Sequence, residues 1–350
     1  MRNDEKTAYI FLAIPLVCVG FILFTIFYLI GSSFFTNEGL GFQNYVRLFT
    51  LDQYFWPALW HNVFWMIWAV LVPIGIGLIF ATLLSRNIRG ENIFKGIIYF
   101  PALLAGATIG VIWKWFYLPR NGVINSILKG FGLMGLGNPT TELWINNSSP
   151  PVPLLTIISL PIFFVSILLI ALTFSPRISR LKLGLVLGIG GIAFPIWLFL
   201  SGAVSTSLVS ILIASSWAGS AVSMVMFLAG MQAIPKSHIE AAKVDGASEW
   251  QVLRHVVLPA LKPVMVTLII LSAISSMKAF DLVYTLAGQE GGPGHHAADV
   301  LALYTFRTLK SSQDLGGYSY ASTIGFIGIL VSLVPVILYM IMLRRKEEDT

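Results

Sequence analysis

Hydrophobic and polar positions along this chain do not alternate; they segregate into long blocks. Mostly apolar runs of about 20 residues, the length that crosses a bilayer core, fall at roughly 9–31, 61–84, 94–118, 152–174, 183–203, 208–232, 262–286 and 320–343. Over such lengths in hydrocarbon only a helix satisfies its own backbone polar groups. The pattern therefore predicts an all-α, polytopic membrane protein with about eight transmembrane helices. A short polar stretch, Ser201 to Ser207, is all that separates the fifth window from the sixth.

These blocks organise the chain into an N-terminal helix and outer loop (1–60), helices two and three (61–118), a second outer loop (119–151), a helix pair (152–203), a core (204–343) and a short tail (344–350). The 152–203 pair carries almost no polar residue, as lipid-facing helices do. The IWKWFY run at 112–117 places Trp113 and Trp115 beside Lys114, which reads as an interfacial aromatic belt.

Composition supports the same class. Of 350 residues, 56% are hydrophobic and 11% charged, against about 25% charged in soluble domains. Soluble enzymes, nucleic-acid binders and disordered chains are excluded. The net charge of +6 matters less than its placement. With the N-terminus cytoplasmic, fifteen of the 22 Lys and Arg fall on the inside and five outside (Arg47, Arg120, Lys129, Arg307, Lys310). That asymmetry obeys the positive-inside rule and puts both termini in the cytoplasm. Cys18 stands alone, so no disulfide framework is expected. The first apolar run, from about Tyr9 to Ile30, is too long for a secretory signal and lacks a small-residue cleavage site, so it is expected to be a retained span.

The most informative polar stretch is the 234–263 loop, IPKSHIEAAKVDGASEWQVLRHVVLPALKP. Pro235 and Ser237 can start a short helix and Gly246 can end it in the left-handed conformation. Ser248 with Gln251 makes a capping-box pattern for a second helix, with Trp250, Leu253 and Val257 on one side and Pro259 ending it. Two helices this short are marginal alone in water and need a partner.

Glu240-Ala241-Ala242, Gly246, Val256, Leu258 and Pro259 follow the spacing E-A-A-x3-G-x9-I-x-L-P, with Val at the Ile position. The chain thereby resembles the permease subunits of binding-protein-dependent ABC importers. KAFDLVYTLAG with GGPG, RTLKSSQDLGGYSYAST and SRNIRGENIFKGIIYFPALL are similar to the carbohydrate, maltose-type branch and its first permease. The resemblance implies a type I importer transmembrane fold, with 235–259 as a coupling loop seated on a cytoplasmic ATPase. Glu240 and Asp245 would make polar contacts there, and Ala241, Ala242 and Gly246 would permit close docking. It also implies two ATPase subunits that bind the ATP and Mg, a second related permease, a soluble solute-binding protein and a prokaryotic inner membrane.

The chain shows no chemistry of its own. It has no G-x4-G-K-[ST] phosphate cradle, and no cofactor or nucleic acid is expected. His295 and His296 lack further ligands at metal-binding spacing, and His238 and His255 read as surface residues. Lys278 and Asp281, three apart in the seventh window, can pair on one helix face or border a solute path. Family positions imply that path at Ser216, Trp217, Gly219, Ser220 and Val222, then Ser276, Met277, Lys278 and Phe280. Gly219 and Ser220 equally suit close helix packing. The expected function is the permease subunit of an ATP-driven importer of sugar or oligosaccharide. The alternatives are the same machine for a glycerol phosphodiester, with Lys278 serving the phosphate, and a stand-alone secondary transporter or membrane enzyme.

Overall fold

The computed structural model describes residues 2–36, 39–85, 90–118, 122–130, 205–292, 296–311 and 315–348. The windows expected at 152–174 and 183–203 lie outside the described residues. Among those described, helices dominate; one two-stranded antiparallel hairpin, β1 (Phe35–Thr36) with β2 (Gly39–Leu40), follows α1 (Arg2–Ser33). Then come α2 (Gln43–Thr50), α3 (Phe55–Leu84), α4 (Glu91–Tyr99), α5 (Gly106–Phe116) and α6 (Val123–Gly130). The second half holds α7 (Thr206–Gln232), α8 (Lys236–Val244), α9 (Glu249–Ala260), α10 (Lys262–Met277), α11 (Asp281–Ala287), α12 (Leu301–Ser311) and α13 (Leu315–Glu348).

Four of these helices are long and apolar enough to span a membrane singly, over Pro15–Ser33, Phe55–Leu84, Ser207–Gln232 and Gly316–Ile337. The other two windows are each interrupted by a break that hydropathy did not predict. In the 94–118 window, α4 runs through a 3-10 turn at Phe100–Leu103 and meets α5 at 104°. Pro101 sits in that turn, and Leu104 and Ala105 are extended, so the helical ladder cannot continue through them. In the 262–286 window, α10 stops at Met277 and α11 starts at Asp281.

By its internal contacts the chain divides into two compact units, Met1–Pro57 with Tyr304–Val334 and Ala58–Leu303 with Pro335–Thr350. The first unit is organised by Asp52. Its carboxylate accepts the Tyr54 and Phe55 amides at 2.8 and 3.0 Å, capping α3, and also the hydroxyls of Tyr304 and Tyr320. Arg47 stacks over the Tyr320 ring at 4.5 Å and Arg307 over Tyr304 at 5.2 Å. Burial first, then the Asp52 hydrogen bond, holds the Tyr304 hydroxyl above the ordinary tyrosine pKa, so it stays protonated as a donor.

The core of the second unit is apolar and joins four elements. Ile74, Leu78, Ala81 and Leu84 of α3 meet Met224, Phe227 and Leu228 of α7, Leu258 of α9, Leu261, and Met265 and Leu268 of α10. α3 and α7 approach each other through small residues. A Cβ on Gly77 would fall 2.4 Å from Ser223 Cβ, and one on Gly219 would fall 3.0 Å from Pro73 Cβ. Ser216, Ser220 and Ser223 direct their hydroxyls back to α7's own carbonyls. α5 and α11 pack equally closely, since a Cβ on Gly110 would fall 2.7 Å from Thr285 Cβ.

Candidate functional site

The 235–261 segment folds as the local chemistry predicts in its first half and departs from it in the second. Pro235 caps α8, and Asp245 ends it. Gly246 takes φ +82°, its N–H donates to the Lys243 carbonyl at 3.0 Å, and Ala247 donates to Ala242 at 2.9 Å. Those two bonds make a Schellman motif, which satisfies the carbonyls that a helix C-terminus leaves open. Ser248 and Gln251 then form the reciprocal capping box, at 2.7 and 3.3 Å. Lys243 and Glu249 bridge the turn at 3.1 Å; both are exposed, so this pair adds little stability.

Pro259 does not end the second helix, contrary to expectation. α9 widens into a π turn over Leu253–Val257 and continues to Ala260, where it bends by 64° into α10. The wide turn routes the Leu258 N–H to the Leu253 carbonyl, and Pro259 enters as the first turn of a fresh α segment, where its missing N–H costs least. Val252 and Leu258 are buried, and Leu253 and Val257 pack against the core, whereas Trp250 is half-exposed.

α8 has no buried residue. Glu240, Ala241 and Val244, the last 87% exposed, share its outward face, while Ile239 and Ala242 turn partly inward. Asp245, Gly246 and Pro259 are exposed as well. The result is a rigid hairpin with one arm keyed into the apolar core and the other, which carries the acidic residues and a free aliphatic side chain, standing off it.

The residues expected along a solute path divide into two groups. On α7, Ser216 is buried and accepts the Trp68 indole N–H at 2.8 Å. Trp217 meets Trp113 edge to face at 6.2 Å. Gly219 and Ser220 lie at the α3–α7 contact, the packing role that their size allows. Val222 is exposed. Around the break after α10, Ser276 is fully buried, Met277 and Phe280 are half-buried, and Lys278 is exposed. Phe280 stacks on Tyr284 at 5.4 Å.

Two expectations are corrected here. Lys278 and Asp281 do not pair on one helix face: Lys278 caps the end of α10 and Asp281 opens α11, with the Phe280 N–H turned back to the Lys278 carbonyl at 2.7 Å. The described residues contain no ion pair at either one. Trp113 does not belong to an outward belt either. Its ring packs among Phe116, Tyr117 and Trp217, and Tyr117 donates to the Ser210 carbonyl at 2.7 Å, while Trp115 remains outward-facing.

Sequence reasoning missed His61 and Asn62. The fully buried Asn62 amide donates to the Ser276 carbonyl at 2.9 Å and accepts the Leu301 N–H at 2.7 Å, clamping the end of α10 to the start of α12. His61 bonds the Asp299 carbonyl at 2.7 Å, and Asp299 lies 3.2 Å from His296. The available signal was polarity alone: an adjacent His and Asn near the start of an otherwise apolar span.

The sequence profile of the binding-protein-dependent transport system inner membrane component family matches residues 153–348. The chain belongs to this family. It is 26% identical to a probable ABC transporter permease protein of Pyrococcus horikoshii, over 96% of this chain and 98% of that one. It is also 26% identical to the lactose transport system permease protein of Rhizobium radiobacter, over 96% and 92%. Among solved structures it superposes on a chain of a bacterial ABC transporter involved in the import of the acidic polysaccharide alginate. The TM-score is 0.66, covering 98% of both chains at 19% identity, a likeness of fold. The mostly helical architecture is thus that of an ABC importer's transmembrane subunit, and the E-A-A…G…L-P pattern of this inner membrane component lies on the α8–α9 hairpin.

Proposed function

We propose that this chain is the permease subunit of an ATP-driven importer of sugars or oligosaccharides, resident in a prokaryotic inner membrane. It has no nucleotide site of its own in this reading. Two ATPase subunits bind the ATP and Mg, a second related permease completes the pore, and a soluble binding protein delivers the solute to the face opposite the cytoplasmic termini. The observation that carries the reading is the α8–α9 hairpin. A partner that seats α8 bears on the core through α9, because the capped turn at Gly246–Gln251 joins α8 to α9 and Leu258 with the adjoining Leu261 is buried with α3, α7 and α10. Glu240 and Asp245 present charge to that partner, and the exposed Ala241 and Val244 surfaces allow close approach. ATP then shifts the transporter between its two access states only through its different affinity for each. The carbohydrate assignment is supported by the transport systems named for lactose and for trehalose/maltose among the relatives.

One observation favours a narrower, anionic solute, such as a uronic acid or a glycerol phosphodiester: among the described residues, the exposed Lys278 at the α10–α11 break forms no ion pair. Reconstitution into proteoliposomes with the ATPase, the second permease and the binding protein tests both readings. ATP-dependent uptake from a panel of neutral and acidic solutes identifies the substrate class. Gly246→Pro should abolish uptake, since proline cannot take the φ of +82° found there and the hairpin loses the turn that presents α8. Uptake by this chain alone, without ATPase, would refute the assignment.

A further inference from the structure

The segment joining α1 to α3 is where the structure shows most beyond the importer reading. α2 has three distinct faces. Asn44 and Leu48 are buried, and Asn44 donates to the Phe35 carbonyl at 2.8 Å, fixing the helix to the β1–β2 hairpin. Gln43, Arg47 and Thr50 form a polar stripe at helical spacing. Phe42, Val46 and Phe49, also at helical spacing, form an apolar stripe and remain 68, 58 and 41% exposed. Leu40 and Leu51 extend it at either end, and Trp56, at the start of α3, closes it by donating its indole N–H to the Phe49 carbonyl at 3.2 Å.

We propose that this apolar stripe lies in the bilayer interface, so that α2 is an in-plane helix seated at the boundary between lipid headgroups and acyl chains. Three observations select lipid as the occupant. First, the stripe sits between two span ends: α1 leaves the apolar phase at Ser33, and α3 enters it from Phe55, 22 residues later. A segment this short stays close to the membrane surface. Second, the preceding α1 is itself exposed and apolar near its end, where Phe24, Phe27 and Tyr28 face outward. Third, the apolar and polar stripes are adjacent rather than opposed, and the third face is occupied by the protein. A helix lying flat at an interface, with its protein on one side, needs that arrangement. Trp56 and Tyr54 flank it, as aromatic residues do at the membrane–water boundary. The Asp52 and Arg47 contacts to Tyr320 hold the helix in this orientation.

The test uses the full-length chain, with whatever subunits accompany it, in nanodiscs of phosphatidylethanolamine and phosphatidylglycerol. In a Cys18→Ser background, single cysteines replace Phe42, Val46, Phe49 or Thr50 and carry a spin label. Collision with oxygen should exceed collision with a water-soluble nickel chelate at 42, 46 and 49, at a depth of about 5–10 Å. The order should reverse at 50. Nickel-dominated accessibility at all four positions would overturn the proposal. So would labels at 42, 46 and 49 that are strongly immobilised and reached by neither reagent, which would assign the stripe to a second permease. Since neither outcome depends on ATP or solute, failure here leaves the importer reading intact.

Discussion

Asn62 provides the sharpest test of how the broken seventh window is held. A helix end inside the membrane leaves carbonyls and amides without intrahelical partners, and there is no water to take them. One amide answers both ends here, donating to Ser276 and accepting from Leu301. Asn62→Leu keeps the number of side-chain heavy atoms and removes both bonds. Leaving a buried carbonyl unsatisfied costs about 1–3 kcal/mol, and losing a second net hydrogen bond about 1 kcal/mol more. The low average measured for polar pairs between membrane helices, about 0.6 kcal/mol, argues for the lower half of that sum. The expected loss is therefore about 2–3 kcal/mol, roughly 30- to 150-fold in the unfolding constant. Unfolding of the purified protein in a denaturing-detergent titration measures it. Asn62→Asp should recover only the acceptor half, because its carboxylate faces the Ser276 carbonyl. A loss below about 0.5 kcal/mol for Asn62→Leu would refute the reasoning, since both backbone groups would then have other partners.

Three further outcomes follow from the packing and the polar inventory. Gly77→Ala pushes a methyl against Ser223 and the α7 backbone; overpacking of this kind costs about 1–3 kcal/mol, and an unchanged Tm would refute the close α3–α7 contact. Among the described residues the buried Trp113 indole N–H meets no hydrogen-bond partner. Trp113→Phe should therefore be neutral or stabilising in thermal unfolding, and a clear drop in Tm would reveal a partner. Tyr304 is held above its ordinary pKa of 10.0, so its folded form retains a proton that the unfolded chain gives up. Its contribution should be fully present below pH 10 and decline as pH rises from 10 toward the folded pKa. Tyr304→Phe should flatten that decline in a pH series of unfolding midpoints.

Much of this molecule was legible because lipid imposes one rule everywhere: long apolar runs become helices. The caps of the α8–α9 hairpin were equally legible, since Gly246, Ser248 and Gln251 act within a few residues of their own positions. The breaks were not. Hydropathy averaged over 94–118 or 262–286 is blind to a Pro101 turn or to a helix end whose carbonyl is met by Asn62, 214 residues away in sequence. The Lys278–Asp281 reading failed for the same reason: a spacing of three brings side chains together only if one helix runs through both. Gly219 and Ser220 were ambiguous by nature, because small residues serve a pathway and a helix contact alike; the structure shows the contact, with Pro73 facing Gly219 and Gly77 facing Ser220.

The same long-range clamp bears on how a push at the membrane surface would be felt inside. α10 touches both places of interest, as α3 does: Met265 and Leu268 join the core that holds Leu258, and Ser276 ends at the Asn62 clamp beside Lys278. Its 16 residues make a rod of about 24 Å, and a helix this short transmits displacement along its axis with little bending. A movement of α9 would therefore reach the α10–α11 break with little loss. The π turn in α9 is compatible with that role, because the core contact at Leu258 lies beyond it, on the α10 side. If the hairpin acts as proposed, weakening Leu258 and weakening Asn62 should be non-additive in transport, as expected of two ends of one rod. Independent effects of Leu258→Ala and Asn62→Leu on uptake would place the transmission elsewhere.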